Sequence, residues 1–157
     1  IDDRWLYDQE DYLNPIKELN LKSVLPEISK KGEDITIIAS GHASFLARQA
    51  AEELIEKNCN TEVIDVRVLN PLNVDSMVES VIKTKRLLVL DSGWISSGFS
   101  AEILSKVVES LPLDCLLSPP KRIALPDAPA PTSRILEKDY YTSVSDIVSE
   151  ASRIINY

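Results

Sequence analysis

Leu87-Leu88-Val89-Leu90-Asp91-Ser92-Gly93-Trp94-Ile95-Ser96-Ser97-Gly98-Phe99-Ser100-Ala101-Glu102-Ile103 is the stretch on which the reading of the fold turns. Its first four residues form a Leu and Val run that stops at an aspartate, the pattern of a buried strand bounded by turn residues. Gly93 and Gly98 let the following backbone take turn conformations that a side chain would forbid. Ser97 is placed to cap a helix whose Phe99, Ile103, Leu104, Val107, Val108 and Leu111 share one face. The stretch is a strand–loop–helix unit, and loops at strand ends of α/β sheets are where ligands and partners dock.

Working outward, the same unit recurs. Ile35-Thr36-Ile37-Ile38-Ala39 leads through Ser40-Gly41 into a helix from about His42 to Lys57, with Phe45, Leu46, Ala50, Leu54 and Ile55 on one face. Thr61–Val68 reads as a strand, and Asn73 caps a helix that turns Val74, Met77, Val78, Val81 and Ile82 inward. Arg122-Ile123-Ala124-Leu125 reads as a strand running into Pro126-Asp127-Ala128-Pro129-Ala130-Pro131. A capping box, Ser143-x-x-Asp146, opens a closing helix that buries Val144, Ile147, Val148, Ala151, Ile154 and Ile155. A short strand within Ser23–Ser29 turns through Lys31-Gly32-Glu33-Asp34 into Ile35, which suggests a hairpin with an antiparallel strand at the sheet edge. The expected fold is a three-layer α/β/α domain with a mostly parallel five-stranded sheet and one antiparallel edge strand. Residues 1–22, acidic, aromatic and broken by Pro15, read as a linker or the end of a preceding domain; residues 23–157 form the α/β domain.

Composition narrows the function. The 157 residues are 44% hydrophobic and 27% charged, as in ordinary globular proteins. The formal net charge is -8, with no Lys/Arg cluster to meet a nucleic acid or an anionic membrane. No apolar run has the roughly 20 residues a membrane helix needs, and no signal peptide is read. Cys59 and Cys115 lack metal-site or disulfide-framework spacing, which fits a reducing cytoplasm. The sequence starts at Ile1 rather than Met, and is read as a piece of a longer polypeptide.

Few residues offer chemistry. His42, the single histidine, follows a strand-end glycine at a helix start, where it suits an anion; the plainer reading is a helix-start residue without a catalytic partner. The loop lacks the later glycines of a dinucleotide fingerprint, and no GxxxxGK[ST], GxSxG or HExxH occurs. No catalytic constellation and no metal site is expected. Asp91 is placed to cap or to position the Trp94 loop. Trp94, with Phe99 behind it, is either a lid over the core or an interface anchor. Arg4 has a fork of donors for an anionic substrate, or merely balances Asp2 and Asp3.

Five blocks in order resemble the C-terminal domain of transketolase-like, thiamine-diphosphate-dependent enzymes, with closest likeness to the E1 β subunits of 2-oxoacid dehydrogenases such as pyruvate dehydrogenase. They are Asp34–His42 with Ala50–Leu54, then Glu62–Leu72, then Asp91–Trp94 with Gly98–Ile103, then Arg122–Pro131, then Ile135-Leu136-Glu137. Together they span roughly residues 33–157, and residues 1–16 resemble the end of the pyrimidine-binding domain that precedes this one in the family.

The resemblance implies thiamine diphosphate and magnesium in the full-length enzyme, held by other domains, because this sequence has no Gly-Asp-Gly magnesium motif. It implies a domain that is not catalytic alone and builds assembly surface: a homodimer through this domain, with an E1 α subunit and an E2 core as further partners. By that similarity Trp94, Gly98 and Phe99 are expected at an interface. Arg4 falls where relatives carry a basic residue near the substrate entrance, and His42 is the second expected substrate contact. Pro26 and the acidic Asp8-Gln9-Glu10-Asp11 segment depart from the common pattern, which leaves the substrate open. The alternative is a stand-alone module binding a small organic anion near Ser40, Gly41 and His42.

Overall fold

A computed structural model describes residues 6, 7, 9, 10, 12, 20 and 23–157. Five strands and five helices follow one another: β1 (Glu27–Lys30), β2 (Ile35–Ala39), α1 (His42–Ile55), β3 (Thr61–Asp65), α2 (Asp75–Thr84), β4 (Leu87–Trp94), α3 (Phe99–Glu109), β5 (Lys121–Leu125), α4 (Arg134–Tyr140) and α5 (Val144–Ile155). The sheet order is β1-β3-β2-β4-β5. β2 runs parallel to both β3 and β4, β5 runs parallel to β4, and β1 alone is antiparallel.

The two-residue alternation of β2 sorts its side chains onto two faces. Ile35, Ile37 and Ala39 join Val63, Leu88 and Leu90 under α1 and α5, which supply Ala43, Ala47, Ala50, Ala51, Leu54, Ile147, Val148, Ala151 and Ile154. Ile38 joins Ile64, Leu87 and Val89 under α2 and α3, with Met77, Val81, Ile103 and Val107. The central strands are buried on both faces, as parallel strands covered by helices are. Each fully buried Ile or Leu is worth about 1.5–3 kcal/mol of removed apolar surface. The architecture is the expected three-layer α/β/α fold with one antiparallel edge strand.

The expected hairpin does not form. β1 pairs with β3, Glu27 opposite Asp65 and Ile28 opposite Ile64, with an irregularity before Lys30. Both edges of β2 are taken by the parallel partners β3 and β4, so the edge strand has only the outer side of β3 to join. The tight turn expected of Gly32 serves a different end: a Cβ there would stand 2.2 Å from the Thr61 carbonyl carbon, so the connection presses directly on the start of β3.

Local boundaries also differ from expectation. β3 stops at Asp65 rather than Val68, and β4 runs on past Asp91 to Trp94. α1 buries an alanine seam, with Ile55 on the outside at 51% exposure, because small residues let the helix lie close against the sheet. α2 begins at Asp75 after Val74, and Asn73 acts one residue earlier than expected, its Oδ1 accepting the Asp75 N–H at 3.2 Å. α5 keeps its capping box: the Ser143 hydroxyl accepts the Asp146 N–H and the Asp146 carboxylate accepts the Ser143 N–H. Among the described residues no helix is long and apolar enough to cross a membrane.

Candidate functional site

The C-terminal ends of β2, β4 and β5 and the loops leaving them form one rim of the sheet. At the end of β2, Gly41 takes φ 56°, a left-handed value that favours glycine, and turns the chain into α1. His42 is the first residue of that helix. It is half-buried, with its ring stacked on Phe45 at 6.2 Å, and the Arg48 guanidinium lies 5.9 Å from the same Phe45 ring. The Ser44 hydroxyl donates to Asp65 at 3.0 Å, tying the first turn of α1 to the end of β3.

At the end of β4 the organising group is the Asp91 carboxylate. One oxygen accepts the Gly93 N–H at 2.8 Å and the other accepts the Ser100 N–H at 2.7 Å. Ser100 lies in the first turn of α3, so a strand residue caps the helix, occupying the positive helix end with the chain's own anion. Ser97, expected as the cap, sits at φ 55° outside the helix, and Gly98 holds the N-cap position without a side-chain hydrogen bond. A Cβ at Gly98 would come 2.0 Å from the Trp94 carbonyl oxygen, so only glycine lets the loop close on the strand.

Trp94 ends β4 opposite Leu125 and is 54% exposed. Its indole N–H donates to the Tyr140 hydroxyl at 3.3 Å, and that hydroxyl donates to the Ala128 carbonyl at 2.7 Å. Alongside, the Ser96 N–H and hydroxyl donate to the two Asp127 oxygens at 3.2 and 2.5 Å, and Arg122 donates to the Ile95 carbonyl at 2.9 Å. Phe99 turns the other way and packs, partly buried, on the cluster under α2 and α3. The structure therefore separates the two aromatics, Trp94 outside and Phe99 against the core. Tyr140, Ser96 and Asp127 were not singled out from sequence; the proline-rich run around Asp127 marked the place, without the partner.

The opposite end of the sheet is a closed polar network. Glu62 is 1% exposed; it accepts Lys83 Nζ at 2.5 Å and the Gly32 N–H at 3.3 Å. Burial pushes its carboxyl up, but hydrogen bonds from Lys83, Ser80 and Gly32 together outweigh this and hold it below its ordinary value of 4.5. Thr36 bridges Ser80 and Thr84 at 2.7 Å each. Burial pushes the Cys59 thiol up, with the Thr61 hydroxyl opposing, which marks it as an inert core residue.

These geometries make a partly apolar rim whose loops are tied by hydrogen bonds within the chain. The rim carboxylates Asp65, Asp91 and Asp127 are each engaged by donors of the chain itself. Magnesium diphosphate needs several oxygen ligands converging on one point. Among the described residues no group of three or more His, Cys, Asp or Glu side chains is placed to hold a metal ion. Arg4 lies outside the described residues.

Residues 26–147 match the family model described as transketolase, C-terminal domain. The chain belongs to that family. The transketolase C-terminal domain here is 34% identical over 130 residues to the pyruvate dehydrogenase E1 component subunit beta, mitochondrial, of Ascaris suum, covering 83% of this chain and 36% of that protein. Against the pyruvate dehydrogenase E1 component subunit beta of Rickettsia bellii it is 34% identical over 128 residues, 82% of this chain and 39% of the relative. The Dictyostelium discoideum mitochondrial subunit is 32% identical over 152 residues, 95% of this chain and 40% of the relative. The domain thus spans about two-fifths of the length of these curated relatives. A solved structure titled split gene transketolase, inactive beta4 tetramer, superposes with a TM-score of 0.75 at 20% identity, over 94% of this chain and 46% of that one, and shows the shared fold.

Proposed function

We propose that this chain is the assembly domain of a thiamine-diphosphate-dependent enzyme, of the 2-oxoacid dehydrogenase E1 β type or of a transketolase type, and that other parts of the enzyme hold the cofactor and magnesium. The observation that carries the reading is Trp94: a large aromatic more than half exposed, fixed at a strand end between Gly98 and the Tyr140 hydroxyl. Preordered exposed aromatics are the side chains that dominate binding energy at interfaces. The similarity to E1 β subunits, with the partial coverage of their length, supports a domain that works inside a larger assembly.

The Trp94 rim, with Gly98 setting its shape, is the proposed contact with a second copy; Phe99, expected at the same interface, packs instead against the cluster under α2 and α3. An E1 α subunit and an E2 core are the further partners proposed for an E1 β-type parent. The domain boundary is proposed near residue 23, supported by β1 starting at Glu27 and the family match starting at residue 26. His42 is the proposed substrate-side contact, supported by its place at the β2 end beside Gly41. The cytoplasm is the proposed location, supported by the free thiols of Cys59 and Cys115.

The test is the native mass of the full-length protein before and after Trp94→Ala. Truncating a central anchor is expected to weaken self-association by about 2 kcal/mol or more. An assembly of unchanged affinity overturns the role given to this rim.

A further inference from the structure

We propose that residues 126–140 form a strap across the ends of β4 and β5, latched by the Tyr140 hydroxyl, which opens as one unit while the sheet stays folded. The strap has little apolar attachment. α4 buries no side chain, Ile135 and Leu136 are 78% and 56% exposed, and residues 126–130 are all exposed. Polar ties join it to β4 and the loop that follows, Trp94 Nε1 to Tyr140 and Ser96 to Asp127, while Tyr140 to the Ala128 carbonyl ties the two ends of the strap to each other. Tyr140 is the pivot, because its single hydroxyl both accepts from β4 and donates back to the start of its own strap. A segment with few buried apolar contacts and solvent-exposed hydrogen bonds opens at a free energy far below that of the core.

The sheet does not depend on the strap. The clusters on its two faces are built from β2, β3, β4, α1, α2, α3 and α5, with Ile123 of β5 packed against the first and α4 contributing to neither. Closure does govern Trp94. With the latch made, the indole is held at one end by the strand and at the other by Tyr140; with it open, the indole loses its fixed partner. The inference stands apart from the docking role of Trp94, because the latch is defined by bonds within the chain.

Hydrogen exchange on the full-length protein tests it. Tyr140→Phe keeps the ring and removes the hydroxyl. The amides of α4 and its C-cap, among them Glu137 and Tyr141, whose N–H groups bond the Ser133 and Glu137 carbonyls, are expected to exchange about fivefold faster, the effect of one ordinary hydrogen bond. The amides of β2 and β4 are expected to keep their rates. Trp94→Phe should accelerate α4 less, since the Ala128 bond remains, and the double variant should match Tyr140→Phe alone. Unchanged α4 rates in Tyr140→Phe overturn the latch. Core amides that accelerate in step with α4 overturn the independent opening, and additive effects in the double variant overturn the relay through one hydroxyl.

Discussion

The Asp91 carboxylate and the Ser100 N–H meet at 2.7 Å, joining the end of a central strand to the first turn of the helix that follows it. Loss of a capping acceptor costs about 0.5–2 kcal/mol. Because Asp91 also accepts the Gly93 N–H, Asp91→Ala is expected at the upper end of that range. Asp91→Asn should recover part of it, since one amide oxygen can still accept. Urea midpoints of the three proteins decide the matter, and equal midpoints would remove Asp91 from the account of this loop.

Gly98→Ala is expected to destabilise by about 2 kcal/mol or more, in the range where overpacking forces backbone shifts. The added methyl meets the Trp94 carbonyl, a backbone atom with no room to retreat. Gly93→Ala is the matched control, because its nearest contact is the Asp91 carboxylate at 3.2 Å, and it should cost clearly less. A thermal melt ranking Gly93→Ala below Gly98→Ala would contradict the close approach.

Glu62 gives stability a dependence on acid. Its folded-state value lies below the ordinary 4.5, so its contribution is complete above the unfolded value and is lost as pH falls through the folded one. Glu62→Gln should lower stability at neutral pH, flatten that part of the decline below about pH 4.5, and leave Lys83 with only the exposed Glu33 carboxylate at 3.7 Å. Lys83→Met acts in the other sense: the carboxyl keeps its burial and loses a leading stabilising donor, so its titration and the associated loss of stability shift to higher pH. Stability curves from pH 3 to 7 that coincide for wild type and Lys83→Met would refute this coupling.

Thr36→Val preserves shape on the α2 face and removes the hydroxyl shared by Ser80 and Thr84. Leaving buried hydroxyls short of a partner costs about 1–3 kcal/mol. Thr84 keeps its bond to the Arg86 carbonyl at 3.2 Å, so the expected loss lies at the lower end. A Val variant as stable as wild type would mean the hydroxyl network is energetically neutral.

What the sequence announced is what repeats or is local. The Leu87–Leu90 run, the βα alternation and the Ser143–Asp146 box are read within a few residues of one another, and each stands where expected. The partner of β1 was not legible, because a turn signal at Gly32 says the chain bends and not which edge is free. Ser97 looked like a cap by position, but the oxygen that reaches the α3 N–H comes from Asp91, nine residues earlier, once β4 extends beyond its apolar run. α4 had no periodicity to read because it buries nothing. At the rim, Trp94 was conspicuous by its type. Tyr140 was not, since what distinguishes it is a bond across 46 positions.

The antiparallel pairing of Glu27 with Asp65 also fixes a sequence in time. β1 finds its place only on the outer side of β3, and β3 is held there by β2 and α1. The first of the described strands to leave the ribosome therefore has a partner that is not yet made, since β2 and α1 are synthesised between β1 and β3.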